Sequence, residues 1–414
     1  MSDQKSLAYE IRTWVILGLA YGFAFYDRQT MAFLSPFVVK DFGLNNTQVG
    51  ALGSGLSLTW ALGAYFIGRW SDRAGVRKPF LLAFLLIYSF CSILSGLSTS
   101  FLPLLGTRVL MGTVEGPFLP ICLAIIAAAS PDNRRGLNSG IVQNVFGSLL
   151  GNTLAPLLVV WIAVQWDWRT SFYLAGVPGL ILFFFVWKFI DEPPRPAPQS
   201  TDEEEKGGTI LALLKERNIA LCAAMSPMLI GTIILTSIFL PLYLTGPRGY
   251  TPTTMSFIMS IIGVCPAVGA VFFAALSDRI GRKPPMIIGA TSTALSPLAC
   301  IYFPETGSVE MLTTLMVIGT LGVGVFPLYM GVIPAETLKF RNIAAGMGIV
   351  VAVGELAGGV VAPVVSGKLA DLSTLDAPLL VAAGMSFVGG FICLFLRETN
   401  PAVLARRQAA ASAA

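Results

Sequence analysis

Five ionisable residues interrupt otherwise apolar runs of this 414-residue chain: Asp27, Arg28, Arg108, Glu115 and Glu355. On a helix, adjacent residues such as Asp27 and Arg28 diverge by about 100°, so one can meet a neighbouring helix while the other reaches a ligand. Arg108 and Glu115 are seven positions apart. That is two turns, which places them on one face and about 10 Å apart along the axis. The separation is too long for a direct pair but suits two stations along one cavity wall. The sensible pairing is Asp27 with Arg108, leaving Arg28 free; Glu115 with Arg28 is the other option. A guanidinium donates two parallel hydrogen bonds to a carboxylate, and a carboxyl group's proton affinity rises on desolvation and falls beside an arginine. An organic anion arriving at Arg28 and Arg108 would compete with Asp27 for positive charge and favour proton uptake, which links the two ligands thermodynamically. The chain has no histidine. Zinc–histidine sites, Ser/His/Asp triads and imidazole relays are therefore excluded, and proton coupling has to rest on carboxylates.

Other residues fit the wall of such a cavity. Gln143 and Asn144 are polar residues amid Gly and Val and can bond a hydroxyl or carboxylate. Trp60 can form an aromatic wall, although lipid-facing or interhelical packing suits it equally. Tyr329 and Glu355 are the candidates from the second half of the chain. Glu355 lies among Gly354, Gly358 and Gly359, where close helix approach is expected. It reads either as a gating or coupling residue or as a buried hydrogen-bonded acid. The small-residue series Gly136/Gly140 and Gly147/Gly151 points to helix contact.

Composition identifies what must hold these residues. Hydrophobic types make up 55% and charged types 12%, about half the charge of a soluble domain. So few charges cannot cover a soluble surface of this size, so most of the outside must face lipid. A net charge of +4 is too weak to point to nucleic acid. The six cysteines stand singly, with no CxxC pair, and read as small buried hydrophobes. A membrane-spanning helix takes roughly 20 apolar residues. Twelve such runs lie near 11–34, 48–69, 79–98, 102–128, 137–163, 170–190, 218–244, 254–276, 285–303, 310–334, 342–366 and 377–396. The polar start carries no cleavable signal pattern. Residues 191–216, with Pro193, Pro194, Pro196 and Pro198 followed by Asp202 to Glu205, are expected to be a solvated linker between bundles at 1–190 and 217–414. With the amino terminus inside, 21 of the 27 Lys and Arg fall on the cytoplasmic side and 4 on the other. The positive-inside rule then places both termini in the cytoplasm.

The chain repeats itself. Ser71-Asp72-Arg73-Ala74-Gly75-Val76-Arg77-Lys78 after the second run is echoed by Ser277-Asp278-Arg279-Ile280-Gly281-Arg282-Lys283 after the eighth, with Asp72 and Asp278 offset by 206. Gly147, Gly151, Ala155 and Pro156 map onto Gly354, Gly358, Ala362 and Pro363 at 207, and Gly112, Thr113 and Pro120 onto Gly319, Thr320 and Pro327 at the same offset. The chain is therefore a duplicated six-helix unit, and such halves place a substrate site at their interface near the bilayer midplane. At the same offset Arg108 corresponds to Leu315 and Glu115 to Gly322. A structural ion pair required by the repeat would be expected in both copies, so the asymmetry favours function.

The Ser-Asp-Arg-x-Gly-(x)-Arg-Lys loops, twelve runs and 6+6 repeat together resemble the major facilitator superfamily over essentially the whole chain. The resemblance implies that Asp72 with Arg73, and their echo Asp278 with Arg279, latch a cytoplasmic gate; positive-inside topology plus a turn would account for the same residues. Phe25-Tyr26-Asp27-Arg28 with Arg108-x-x-x-Gly112-x-x-Glu115-Gly116 looks like the superfamily's anion:cation symporter branch. Trp166-Asp167-Trp168-Arg169 resembles that branch's entry to the sixth helix. By that likeness Asp27 and Glu115 are protonation sites, while Arg28 and Arg108 bind or position a substrate carboxylate. Ala24-Phe25 stands where the branch commonly has Asn-Tyr. Spinster-like lipid carriers share the same charged pairs. The expectation is an all-α membrane protein of twelve helices in two six-helix bundles, not an enzyme and without cofactor or metal. It would carry a small organic anion with a proton across the cell membrane by alternating access, acting as a monomer. The alternative is a spinster-like carrier of an amphipathic lipid.

Overall fold

The computed structural model describes residues 7–131, 133–194, 210–338 and 342–413. Among these the regular structure is helical, with no strand. In chain order the long helices are α1 (Leu7–Phe42), α2 (Asn46–Ala74), α3 (Lys78–Gly96), α4 (Phe101–Ala129), α5 (Arg135–Gln165) and α6 (Trp168–Phe189). They continue with α7 (Arg217–Thr245), α8 (Pro252–Ile280), α9 (Lys283–Tyr302), α10 (Val309–Thr337), α11 (Ala345–Leu372) and α12 (Asp376–Cys393). Eleven of them are long and apolar enough to cross a membrane. The remaining one, α1, runs for 36 residues, and its apolar stretch is broken by Asp27-Arg28-Gln29. Most of the expected linker, 195–209, lies outside the described residues. Beyond it come a single turn at Ile210–Leu214 and, after α12, a helix at Pro401–Ala413. All six cysteines are free and buried.

The chain divides into two compact units. The first comprises Met1–Pro198 with Gly249–Val264, so the start of α8 groups with it. In lipid no hydrophobic force drives helices together, and close backbone approach takes over. Its small residues are placed for that. A Cβ on Gly63 of α2 would run into the Thr113 carbonyl of α4, and one on Gly116 of α4 into the Trp60 carbonyl of α2. Pro117 has no N–H for the Thr113 carbonyl, so α4 is loosened beside Glu115. Along α1 and α5, glycines alternate with bulky partners: Gly18 against Phe146, Gly22 against Leu150, Gly147 against Tyr21 and Gly151 against Phe25. The expected contact role thus holds for Gly147 and Gly151. Gly136 and Gly140 meet nothing. Residues Ile141–Leu154 of α5 adopt a π-helical winding along this seam. Its Thr153 carbonyl accepts from Ser260 of α8, at 2.8 Å. Leu81, Leu85, Met111, Ile121, Val142 and Val186 form the buried centre of the unit.

The second unit comprises Gln199–Arg248 and Cys265–Ala414. Close approaches here involve Gly354 of α11 against Ser226 of α7, and Gly358 against the Pro227 carbonyl. The π-helical stretch Glu355–Val361 falls opposite part of the α5 stretch at the repeat offset of 207. Met225, Ile230, Met286, Leu328 and Val350 form the core.

Two further features show the duplication in three dimensions. Glu192, after α6, accepts the backbone N–H groups of Arg77 and, at 2.9 Å, Lys78. Glu398, 206 positions later, accepts those of Arg282 at 2.7 Å and Lys283 at 3.4 Å. In each unit a carboxylate following the sixth helix thus satisfies amide groups at the start of the third, which a helix leaves without partners. The second feature is Asp41, ion-paired to Arg169 at 2.9 Å. At an offset of 207 these positions become Arg248 and Asp376, whose charges both act on Tyr243. The signs are exchanged between the copies.

Candidate functional site

The charged residues of α1 and α4 come together inside the first unit. Asp27 is fully buried, Arg108 is 1% exposed and Glu115 is 7% exposed, while Arg28 is half-buried. As helix geometry demands, Asp27 and Arg28 leave α1 in different directions. The Asp27 Oδ1 atom accepts a hydrogen bond from Ser92 Oγ of α3 at 2.7 Å. The Arg28 guanidinium lies over the Trp60 ring of α2, 5.3 Å from its centroid, a cation–π contact.

The expected Asp27–Arg108 contact pair does not form. Asp27 Oδ2, Arg108 Nε and Nη1, and both Glu115 carboxylate oxygens have no hydrogen-bond partner among the described residues. The bond that Arg108 does make runs from Nη2 to Met111 Sδ, at 2.8 Å. The Ser92 hydroxyl of α3 makes the contact with Asp27 expected of the guanidinium. Arg108 remains within electrostatic reach of Asp27, Glu115 and Arg28. Two acids and two bases therefore balance one another across space without closing an ion pair. Stripping such groups of water costs several kcal/mol per ion, a cost that hydrogen bonds do not offset at five of their polar atoms.

Three neighbours escaped the sequence reading. Ser92 holds Asp27. The Tyr88 hydroxyl is buried and unpaired, within electrostatic reach of Asp27 and Glu115. Tyr21 faces Arg28 and Glu115 in the same sense. Nothing in sequence marks a lone Ser or Tyr in an apolar helix. The repeat gives no help either, because only contact with α1 and α4 singles them out.

The remaining candidates are dispersed. Gln143 and Asn144 are exposed, and the Asn144 amide turns back onto its own helix at the Gly140 carbonyl, 3.2 Å away. A residue with a clearer link to α1 is Asn152, whose Oδ1 accepts from Gln29 at 3.2 Å. Tyr329 and Glu355 belong to the same neighbourhood of the second unit. Tyr329 is fully buried with its hydroxyl unpaired, in electrostatic reach of Glu355, and it lines a small hollow with Leu229, Ile233, Thr293 and Val325. Asp72 lies twelve residues beyond Trp60, about 18 Å along α2. It pairs with Arg77 at 2.6 Å, and Asp278 pairs with Arg282 at 2.6 Å. Arg73 and Arg279 are exposed. The second copy adds a deeper acid, Glu336, which takes Arg282 at 2.7 Å and also accepts from Thr399 at 2.6 Å. No group of metal-ligating side chains occurs among the described residues.

Comparison with known proteins agrees with this architecture. The Major Facilitator Superfamily model matches residues 17–251 and 219–413. The chain is 25% identical to a hexuronate transporter of Bacillus subtilis over 90% of this chain and 91% of that protein. It is 26% identical to a probable 4-methylmuconolactone transporter of Cupriavidus pinatubonensis over 73% of this chain and 70% of the other. Among solved structures, a bacterial homolog to the human lysosomal transporter Spinster, inward-facing and unoccupied, matches with a TM-score of 0.76 at 17% identity, covering 94% of this chain and 98% of that one. At that identity the likeness concerns the fold. This duplicated, multi-pass helical chain belongs to the major facilitator superfamily, whose members are membrane transporters and not enzymes.

Proposed function

We propose that the chain is a secondary transporter that carries a small organic acid together with a proton. The observation that carries this reading is the balanced set Asp27, Arg28, Arg108 and Glu115, three of them at least nine-tenths buried and unpaired at most of their polar atoms. The names of the relatives, which carry a hexuronate and a muconolactone, support a carboxylate or similar substrate. Arg28 is the substrate ligand: it is half-buried, its guanidinium lies over the Trp60 ring, and a guanidinium can donate two parallel hydrogen bonds to a carboxylate. Arg108 stays within the protein and sets the potential for Asp27 and Glu115. A substrate anion on Arg28 draws positive charge away from the two acids, and one of them then takes a proton. Tyr329 and Glu355 serve the same cycle from the second unit. Asp72, Arg73, Asp278 and Arg279 serve a gate on the cytoplasmic side, where both termini lie. The working unit is a monomer of two six-helix halves, 1–190 and 217–414, in the cell membrane.

The test uses proteoliposomes and a panel of aliphatic, aromatic and sugar acids. Glu115→Gln should retain substrate exchange at equal concentrations yet lose accumulation driven by an inward pH gradient. A Gln variant that concentrates substrate like the parent would end the coupling assignment. The spinster-like alternative, for which the fold likeness is the observation, would appear as transport of amphipathic lipid with no acid in the panel competing.

A further inference from the structure

The Ser92 hydroxyl faces two acceptors at once. Its Oγ lies 2.7 Å from Asp27 Oδ1 on α1 and 2.8 Å from the Phe172 carbonyl oxygen on α6, and Ser92 is fully buried. A hydroxyl has one proton to give and lone pairs to receive. A backbone carbonyl only accepts, and an ionised carboxylate only accepts. Ser92 therefore cannot give a full, linear bond to both at the same moment, and the state of Asp27 decides which acceptor takes the proton. When Asp27 is ionised, Ser92 donates to it, and the Phe172 carbonyl keeps only the donor from its own helix. When Asp27 is protonated, the acid O–H donates to Ser92 Oγ and the serine proton turns to Phe172. The proton count balances in both arrangements, since the only proton added is the one on Asp27.

We propose that Ser92 is a positioning residue that reverses its hydrogen bond with the protonation of Asp27 and so reports that protonation to α6. The inference rests on the reading of Asp27 as a proton-carrying group. Local packing makes such a contact possible. Gly176 of α6 comes against Ser92 and the Ser89 carbonyl, and Gly179 against the Ser89 and Tyr88 hydroxyls, so α3 and α6 approach closely at this level. The groups around Asp27 that carry or can carry charge are Tyr26 and Arg28 on α1, Tyr88 and Cys91 on α3, and Arg108 and Glu115 on α4. From α6 the contribution is the Phe172 carbonyl. None of these has a proton to exchange between α1 and α6 at hydrogen-bond distance; Ser92 does.

The experiment compares wild type, Ser92→Ala, Ser92→Thr and Asp27→Asn as full chains in proteoliposomes. Substrate exchange, accumulation against pH and the infrared carboxylic C=O stretch are measured for each. Charge-assisted bonds are the stronger of the two that Ser92 makes, so Ser92→Ala weakens the ionised arrangement more. Its accumulation profile should move to higher pH by about half a unit to one unit. The infrared band that Asp27→Asn removes should move to higher frequency in Ser92→Ala, as a carboxyl without an acceptor does. Ser92→Thr keeps the hydroxyl and should restore both; if Ser92→Ala fails to fold, the threonine variant still has to reproduce the wild-type band. A Ser92→Ala profile and band that superimpose on wild type overturn the inference, provided Asp27→Asn loses accumulation. Should Asp27→Asn itself accumulate substrate, the reading of the site falls, and this inference falls with it.

Discussion

At the scale of single residues, the site is a problem in charge balance. Arg108 sits among two acids with two of its donor nitrogens unpaired. Removing it leaves Asp27 and Glu115 with one counter-charge, on Arg28. Breaking a buried set of this kind costs about 3–5 kcal/mol, so Arg108→Ala should lower the melting temperature and, by leaving two acids to compete with substrate for Arg28, weaken substrate binding. Adding Asp27→Asn should recover much of the stability and none of the coupled uptake, which thermal melts and gradient-driven uptake on the same preparations would show. Arg28 makes the opposite case. Arg28→Lys keeps the charge but not the planar fork or its stack on Trp60. Substrate affinity should fall by about tenfold or more, the loss of one charge-assisted bond, with little change in melting temperature; calorimetric titration with the acid found in the panel checks it. Unchanged affinity would remove Arg28 from the substrate. The residue types of this site were legible in the sequence because charges inside apolar runs are costly and so conspicuous. Their partners were not. Spacing along one helix gives a direction around its axis, but that Asp27 meets Ser92 and Arg28 meets Trp60 is seen only when the neighbouring helices are in place.

At the scale of helices, backbone proximity sets where these side chains point. Gly116 follows Glu115 and bears on the Trp60 carbonyl, so a single contact of α2 with α4 fixes both the acid and the ring that carries Arg28. Gly116→Val would push β-branched bulk into backbone, with no side chain able to yield. It should cost about 1–3 kcal/mol as overpacking does and weaken substrate binding together with stability, whereas Gly136→Ala, with open space around it, should change neither. Fluorescence-detected size exclusion and ligand-shifted melting would compare them. The exchanged charges of Asp41–Arg169 and Arg248–Asp376 offer a gentler test of the same scale. Both members of the first pair are partly exposed, so the pair is worth about 0.2–1 kcal/mol. Asp41→Arg alone sets like charges together and should lower the melting temperature slightly. Asp41→Arg with Arg169→Asp restores opposite charges, in the order in which the sequence carries them at positions 248 and 376, and should return it. A double variant no better than either single one would show that the pairing contributes nothing.

At the scale of the molecule, the duplication was the most legible feature, since glycines, prolines and the Ser-Asp-Arg loops recur at nearly constant offset. What the offset could not reveal is which recurring residues touch. Glu192 lies in a proline-rich stretch that reads as linker, and Glu398 lies past the last apolar run, so neither stands out. Their shared role emerges from the fold, where each takes the first amides of a helix that begins far away in sequence. The π-helical windings of α5 and α11 are likewise invisible to composition. This amide capture carries a pH dependence that can be measured. Partial burial acts to raise the proton affinity of Glu398, but the backbone N–H groups of Arg282, Asn400, Lys283 and Thr399 outweigh it and hold the carboxyl below the usual range. A carboxyl depressed on folding contributes stability that is fully present above its unfolded value and lost as pH falls through the folded one. Glu398→Gln should therefore melt below the wild type at neutral pH, with the gap closing as pH drops below the ordinary carboxylate range, because the protonated wild type then resembles the amide. The same variant at Arg282's other partner, Glu336→Gln, separates the two effects: it leaves the captured amides intact, so the acid-dependent closing of the gap belongs to Glu398 only if Glu336→Gln does not show it. A constant gap across pH for Glu398→Gln would mean that the carboxylate charge contributes nothing and that shape alone holds the segment after α12 against the start of α9.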